Sequence, residues 1–178
     1  METKKFEVAS AQSGISWTGK KVTGAHHGSI SLKAGSLILD NGKLSGGSFI
    51  IDTASIKILD ITDPAANTQF AGHLSSEDFF AADRFPEARF VITRANSVGS
   101  ERYEITGDLT IKGITHPVSF AAEVETTDES VTASGKIRVD RTLYDMKFRS
   151  GNFFTNLGDT LIYNEFDLDV NLTALANH

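Results

Sequence analysis

Residues 107–118 read GDLTIKGITHPV, and this stretch decides the fold. Ile105, Gly107, Leu109 and Ile111 alternate with Thr106, Asp108, Thr110 and Lys112, the two-residue period of a strand with one apolar and one wet face. A second run follows, in which Val118, Phe120, Ala122 and Val124 alternate with Ser119, Ala121, Glu123 and Glu125. Two such runs separated by Lys112-Gly113-Ile114 predict an antiparallel hairpin.

The same period extends in both directions. Val131, Ala133, Gly135, Ile137 and Val139 alternate with Thr132, Ser134, Lys136 and Arg138, and Phe166, Leu168, Val170 and Leu172 alternate with Glu165, Asp167, Asp169 and Asn171. Asp40-Asn41-Gly42 marks a turn before an extended run over 43–58, and Asp128-Glu129 marks another. Long strands joined by short turns predict an all-β, antiparallel, up-and-down meander. Closing it removes the exposed edges. About eight strands is the size that holds one small ligand or a solid core. The inward faces mix large residues with Gly107, Ala122, Ala133 and Gly135. Small residues there suit an internal cavity and equally suit the taper of a filled barrel.

Residues 74–90, LSSEDFFAADRFPEARF, form a short, phenylalanine-loaded connection between two elements. Helix candidates lie between Pro64 and Ala82: Pro64 suits a first helical turn, and Ser75-Ser76-Glu77-Asp78 resembles a capping sequence for a second short one. Phe79, Phe80, Phe85 and Phe90 crowd this connection. Two are expected in a satellite core where the helix caps a barrel end, and the others at the mouth or lining of a pore.

At 178 residues the chain reads as one domain spanning 1–178. Its net charge of −6, with no run of like charges, argues against a nucleic-acid partner, which needs a basic face. Cysteine is absent, which removes disulfides, thiol catalysis and most zinc or iron–sulfur sites. No segment approaches the ~20 apolar residues that span a bilayer. The opening METKKFEVASAQSG has no apolar stretch behind it, so a cytoplasmic location is expected, or a periplasmic one if a signal peptide has been removed.

No catalytic, cofactor or metal site is expected. Asp78 and Asp83 lack matched environments for acid–base work, Ser75-Ser76 lacks the Gly-x-Ser-x-Gly turn of a hydrolase, and Gly42 and Gly46-Gly47 fit hairpin geometry better than a phosphate cradle. His26 and His27, with His73 or His116, are the metal candidates. Neighbours on a strand point to opposite faces, however, so His26 and His27 are poorly placed to share an ion. One inward histidine near the barrel mouth and one exposed is the plain alternative. A third reading gives His27 to a ligand headgroup.

Several motifs together resemble the YceI-like, polyisoprenoid-binding family. They are Trp17 with Lys20, His26-His27-Gly28, the run 46–52 (GGSFIID), 73–80 (HLSSEDFF), 85–90 (FPEARF), 107–113 (GDLTIKG), Asp140-Arg141-Thr142 and Gly158-Asp159. The resemblance implies a lipocalin-like barrel around an elongated apolar pore. It also implies a long amphiphilic lipid as partner: a polyisoprenoid, an isoprenoid quinone or a fatty-acid derivative, bound for transport, storage or protection. Homodimers are common among such proteins, and many members carry a signal peptide, which this sequence does not show.

On that reading Trp17, Phe79, Phe80, Phe85, Phe90, Ile105, Leu109, Phe120, Ile137, Phe154 and Phe166 are candidates to line the pore. Phe153 and Phe154 are neighbours, so only one of them points inward along a regular strand. His27, Arg141, Lys147 and Arg149 are candidates for a headgroup at the rim, where a guanidinium suits phosphate. The plain reading of Asp140 and Arg141 is an exposed or half-buried ion pair worth little. An enzyme acting on a lipid and a solid barrel serving as an interaction protein stay open as alternatives.

Overall fold

The computed structural model describes residues 3–21, 24–74, 76, 80–82, 84–99, 101–144, 146 and 162–176. The alternating runs form strands β1 (Thr3–Val8), β2 (Gly14–Lys21), β3 (Gly24–Asp40), β4 (Lys43–Ile58), β5 (Glu87–Ser97), β6 (Arg102–Ile111), β7 (Ile114–Thr126), β8 (Ser130–Asp140) and β9 (Ile162–Ala176). Each pairs antiparallel with its sequence neighbours from β2 to β9. The β2–β9 pairing then closes the ring.

Nine strands among the described residues fill eight positions. β1 pairs with the end of β3 and the end of β9, while β2 pairs with the first half of β3 and the first part of β9. The two are halves of one strand, interrupted by a 3-10 turn at Ser10–Gln12. The result is a closed up-and-down barrel.

Turn chemistry agrees with the pairing. Asn41 and Gly42 have φ of 52° and 79°, and Lys112 and Gly113 have 54° and 75°. Positive φ at both central residues is the turn whose twist matches two antiparallel strands. Gly46 and Gly47, expected at a hairpin, lie inside β4 beside a register shift opposite Ile38 and Leu39. At Gly47 a β-carbon would fall 2.6 Å from Ser36 O, so close approach of β3 and β4, not a turn, calls for glycine there.

Helix α1 (Pro64–Leu74) sits in the β4–β5 connection. Asp63 starts it, accepting the Ala66 N–H at 3.0 Å on its carboxylate, and Pro64 takes the first position, where a missing N–H costs nothing. Asn67 Nδ2 donates to the carbonyls of Ile58 and Ile61 at 2.9 and 3.0 Å, binding the helix to the end of β4. Of the second capping sequence, Ser75, Glu77 and Asp78 lie outside the described residues. No helix among the described residues is long and apolar enough to cross a membrane.

The meander gives the barrel two different ends. The turns after β3, β5 and β7 lie at one, with Thr3 and Ala176. At the other are α1, the Lys112-Gly113 turn and the 3-10 turn Arg141–Tyr144.

Candidate ligand-binding cavity

The barrel is solid at one end and hollow towards the other. Phe6, Leu39, Tyr103, Val124, Val131 and Ala174 are all buried and fill the end away from the helix. Tyr103 Oη accepts the Leu44 N–H at 3.3 Å, which ties β6 to β4 across that plug. From it a cavity of about 430 Å³ extends towards α1, within the size range of sites that enclose small ligands.

Its wall is built from the inward face of the strands. Phe49 on β4, Phe90 on β5 and Phe120 on β7 form a run of rings, with centroids 6.3 Å apart for the first pair and 5.8 Å for the second. Glycines on neighbouring strands make space for such rings. A β-carbon at Gly35 would lie 2.7 Å from Phe49 Cδ1, one at Gly107 2.7 Å from Phe90 Cε1, and one at Gly135 3.2 Å from Phe120 Cδ2. Trp17 covers Gly28 in the same way, its Cζ2 2.8 Å from where a β-carbon would sit, and its Nε1 donates to Lys57 O at 3.1 Å. Small inward residues therefore do not simply leave empty space. At Gly107 an aromatic ring from the adjacent strand occupies it, while Gly135, beside the Phe120 ring, borders the cavity together with Ala122 and Ala133.

The charged and imidazole side chains of the lining, Lys20, His26, His73, Arg141 and Glu165, all lie at the helix end. His26 faces the cavity. Its Nδ1 is 2.8 Å from Asp60 Oδ2, its ring is 4.9 Å from that of Phe70 on α1, and Asp60 Oδ1 also accepts the His27 N–H at 3.1 Å. Burial pushes the Asp60 carboxyl up, but the bonds from His26 and from the His27 backbone, with the imidazole's charge, together hold it below its usual value. Phe80 closes over the same end with its ring edge-on to Phe166, centroids 6.4 Å apart.

Arg141 is buried at 3% exposure and donates from Nη1 to Met146 O at 2.5 Å. Burial lowers its pKa, partly offset by the charge of Asp140. Asp140 itself accepts the backbone N–H and hydroxyl of Thr142 at 3.0 and 2.6 Å. The exposed or half-buried ion pair expected from Asp140-Arg141 is thus a capped 3-10 turn that folds Arg141 and Met146 against the cavity.

Of the residues predicted to line a pore, Trp17, Phe80, Phe90, Ile105, Leu109, Phe120, Ile137 and Phe166 border the cavity. Phe85 does not. It packs against the Lys112-Gly113 turn, 3.3 Å from where a β-carbon would sit at Gly113, with the Arg84 guanidinium 5.2 Å from its ring centre. His27 is on the outer face, and the histidine on the cavity side is His26, which shares its face with Gly28 and Ile30. Arg141 reaches the site but is buried instead of lying on an open rim. Phe79, Asp78, Asp83, Lys147, Arg149, Phe153 and Phe154 lie outside the described residues. Among the described residues no group of three or more His, Cys, Asp or Glu is placed to hold a metal ion.

Phe49, Phe70, His26, His73 and Lys20 border the cavity without having been assigned to it from the sequence. Strand parity alone would have reached Phe49, which shares the inward face of β4 with Ile51 and Thr53.

Comparison with known proteins places this architecture. A family model described as a YceI-like domain matches residues 6–174. A UPF0312 protein of Pseudomonas putida (strain W619) is 46% identical over 50 residues, 28% of this chain and 26% of that protein. One of Photorhabdus laumondii is 46% identical over 52 residues, 29% and 27%. The aligned stretch spans about a quarter of those relatives. Among solved structures, Burkholderia cenocepacia BcnA superposes with a TM-score of 0.71 at 23% identity, covering 94% of this chain and 99% of that one. A polyisoprenoid binding domain from Saccharophagus degradans superposes with a TM-score of 0.70 at 12% identity, covering 99% and 100%. At such identities the likeness concerns the fold.

Proposed function

Because the chain belongs to the YceI-like domain family, we propose that its barrel binds one long-chain amphiphilic lipid, a polyisoprenoid, an isoprenoid quinone or a fatty-acid derivative. The tail lies in the cavity and the polar group at the helix end. One observation carries the reading: an apolar cavity, closed by packed side chains at one end, gathers its charged and imidazole residues at the other. The fold it shares with a polyisoprenoid binding domain supports the same choice.

Burial of the tail drives association. Each CH₂ removed from water contributes about 0.8 kcal/mol, so roughly a dozen buried carbons outweigh the usual cost of ordering two molecules into one. The mouth contributes orientation and selection, because His26, Lys20 and Arg141 offer donors where the headgroup sits. In this reading the protein holds its ligand without transforming it.

Trp17 provides the test. It is the sole tryptophan and borders the cavity, so its fluorescence reports occupancy. Titration with the twenty-carbon prenol geranylgeraniol is expected to give a saturable spectral change at one ligand per chain. A spectrum that does not move across the titration, in a protein whose circular dichroism shows the barrel intact, counts against the proposal.

A further inference from the structure

β7 and β8 are neighbours in the barrel, but they stop pairing halfway. Their register runs from Thr126↔Val131 to Ala122↔Gly135 and ends there, while β7 extends to Ile114 and β8 to Asp140. On their other sides both strands stay paired, β7 with β6 as far as Ile114 and β8 with β9 as far as Asp140. Each is therefore held in the wall without holding the other. β4 and β5 also part, beyond Gly47 and Ile92, but there the buried Tyr103 hydroxyl ties the gap by accepting the Leu44 N–H. Beyond Ala122 and Gly135, β7 and β8 form no further pair among the described residues.

The wall is thin at this fork. Ala121, Ala122, Ser134 and Gly135 meet there, and all four are small. A recess on the outer surface, bounded by Arg102, Glu104, Glu123, Asp169 and Asn171, opens onto them. Ala122, Ser134, Gly135 and Val170 border both that recess and the inner cavity. Ser134 shares the outer face with Glu123 and Asn171, its partners across the two ladders, and it still borders the inside. Phe120 screens the fork from within. Its ring crosses from β7 onto Gly135, with Cδ2 3.2 Å and Cε2 3.3 Å from where a β-carbon would sit. Nearer the helix end the seam is bridged, because Tyr144, in the turn after β8, meets His116 of β7 edge-on at 5.3 Å.

Opening a fully paired seam of the barrel gives up a ladder hydrogen bond for every pair parted. At the fork those pairs are already absent, and one side chain, Phe120, covers the gap from inside. We infer that the β7–β8 fork is a side entrance to the cavity, through which a lipid tail passes between the strands when the Phe120 ring turns aside. The inference rests on the lipid-binding proposal and adds a route to it.

The chain has no cysteine, so an introduced pair of thiols has no competitor. Ala121 and Lys136 are exposed and stand where the next pair of the ladder would form. In Ala121→Cys/Lys136→Cys, oxidation fastens the fork. If the Cα atoms stay outside the range of roughly 4.4 to 6.8 Å that a disulfide spans, a short bis-maleimide fastens it instead. Geranylgeraniol is loaded before the link is made, and its release into empty phosphatidylcholine vesicles is followed by Trp17 fluorescence. Uptake is followed from loaded vesicles by protein linked while empty. Fastening is expected to slow release and uptake by at least about tenfold and to leave the affinity within about twofold, and reducing the disulfide restores both rates.

A second link separates passage from stiffness. Glu125 and Thr132 are exposed partners below the fork, where the strands already pair, so linking Glu125→Cys/Thr132→Cys is expected to leave both rates unchanged. Exchange through the fastened fork at the unlinked rate, or equal slowing by the two links, overturns the side entrance and leaves the lipid-binding proposal standing. No fluorescence response to geranylgeraniol in the parent or in either unlinked variant overturns both.

Discussion

Phe90 lies across Gly107 of the neighbouring strand, so that any β-carbon at 107 would fall 2.7 Å from the ring at Cε1 and 2.6 Å from Val91 O. The second contact is with backbone, which cannot rotate away. Gly107→Ala is expected to destabilise the barrel by about 1 to 3 kcal/mol through overpacking. Urea unfolding measures it, and a variant as stable as the parent would show that the ring does not need this glycine.

Phe120 continues the ring wall, 5.8 Å from Phe90, and borders the cavity. Phe120→Arg places a guanidinium in an apolar pore, where an unpaired charge is costly. Loss of prenol uptake is expected, with the β circular-dichroism signal retained. Unaltered uptake by the variant would take Phe120 out of the binding wall.

Tyr144 is 1% exposed, and among the described residues its hydroxyl has no hydrogen-bond partner. Its ring meets His116 edge-on at 5.3 Å. Tyr144→Phe keeps that packing and removes the orphaned group, so a gain of about 1 kcal/mol is expected. Burial, then the charge of Asp140, pushes the phenol up to about 12. The folded state therefore favours the protonated form more than the unfolded chain does. That contribution is complete below about pH 10, the ordinary phenol value, and is lost as pH rises towards about 12. Alkaline denaturation of the Phe variant should lack this component. A less stable variant would mean that the hydroxyl is satisfied.

Asp60 titrates in the opposite direction. Its folded value is depressed, since the bonds from His26 and His27 outweigh burial, so it stabilises the fold above the ordinary carboxylate range. The contribution is lost as pH falls below about 4 and through the folded value. Asp60→Asn is expected to lower stability at neutral pH by up to about 1 kcal/mol, the scale of a partly exposed pair. It should also flatten the acid limb of the stability curve. Parallel acid limbs for the two proteins would remove the His26–Asp60 contact from the account.

Period-two alternation makes most of this fold legible in the sequence. β4 occupies 43–58 as the run between its turn signals indicates, and Lys112-Gly113 takes the backbone form that its glycine suggests. The split of one strand into β1 and β2 has no such signal, because Ser10–Gln12 interrupts the run without glycine or proline. Residues on unbroken strands, such as Leu109, Phe120 and Phe166, fall on the cavity side as their parity requires.

The connections are less readable. Parity on β2 does not carry over into β3, so His26 and His27 are told apart only by their pairing with Gly19 and Thr18. Arg141 follows a strand but turns inward on a 3-10 turn that Asp140 caps through Thr142, a reversal that composition does not announce. Glycines on the inward face mark where rings lie, and a sequence does not say whether a ring or a ligand fills the space beside them.

Native mass spectrometry of gently purified protein, followed by organic extraction of whatever it carries, tests the central claim most directly. The account expects one adduct per chain, released by solvent as a long-chain lipid, or restored by incubation with prenyl or acyl compounds when purification has stripped it. A bare mass that stays bare after incubation with both classes of compound would contradict it.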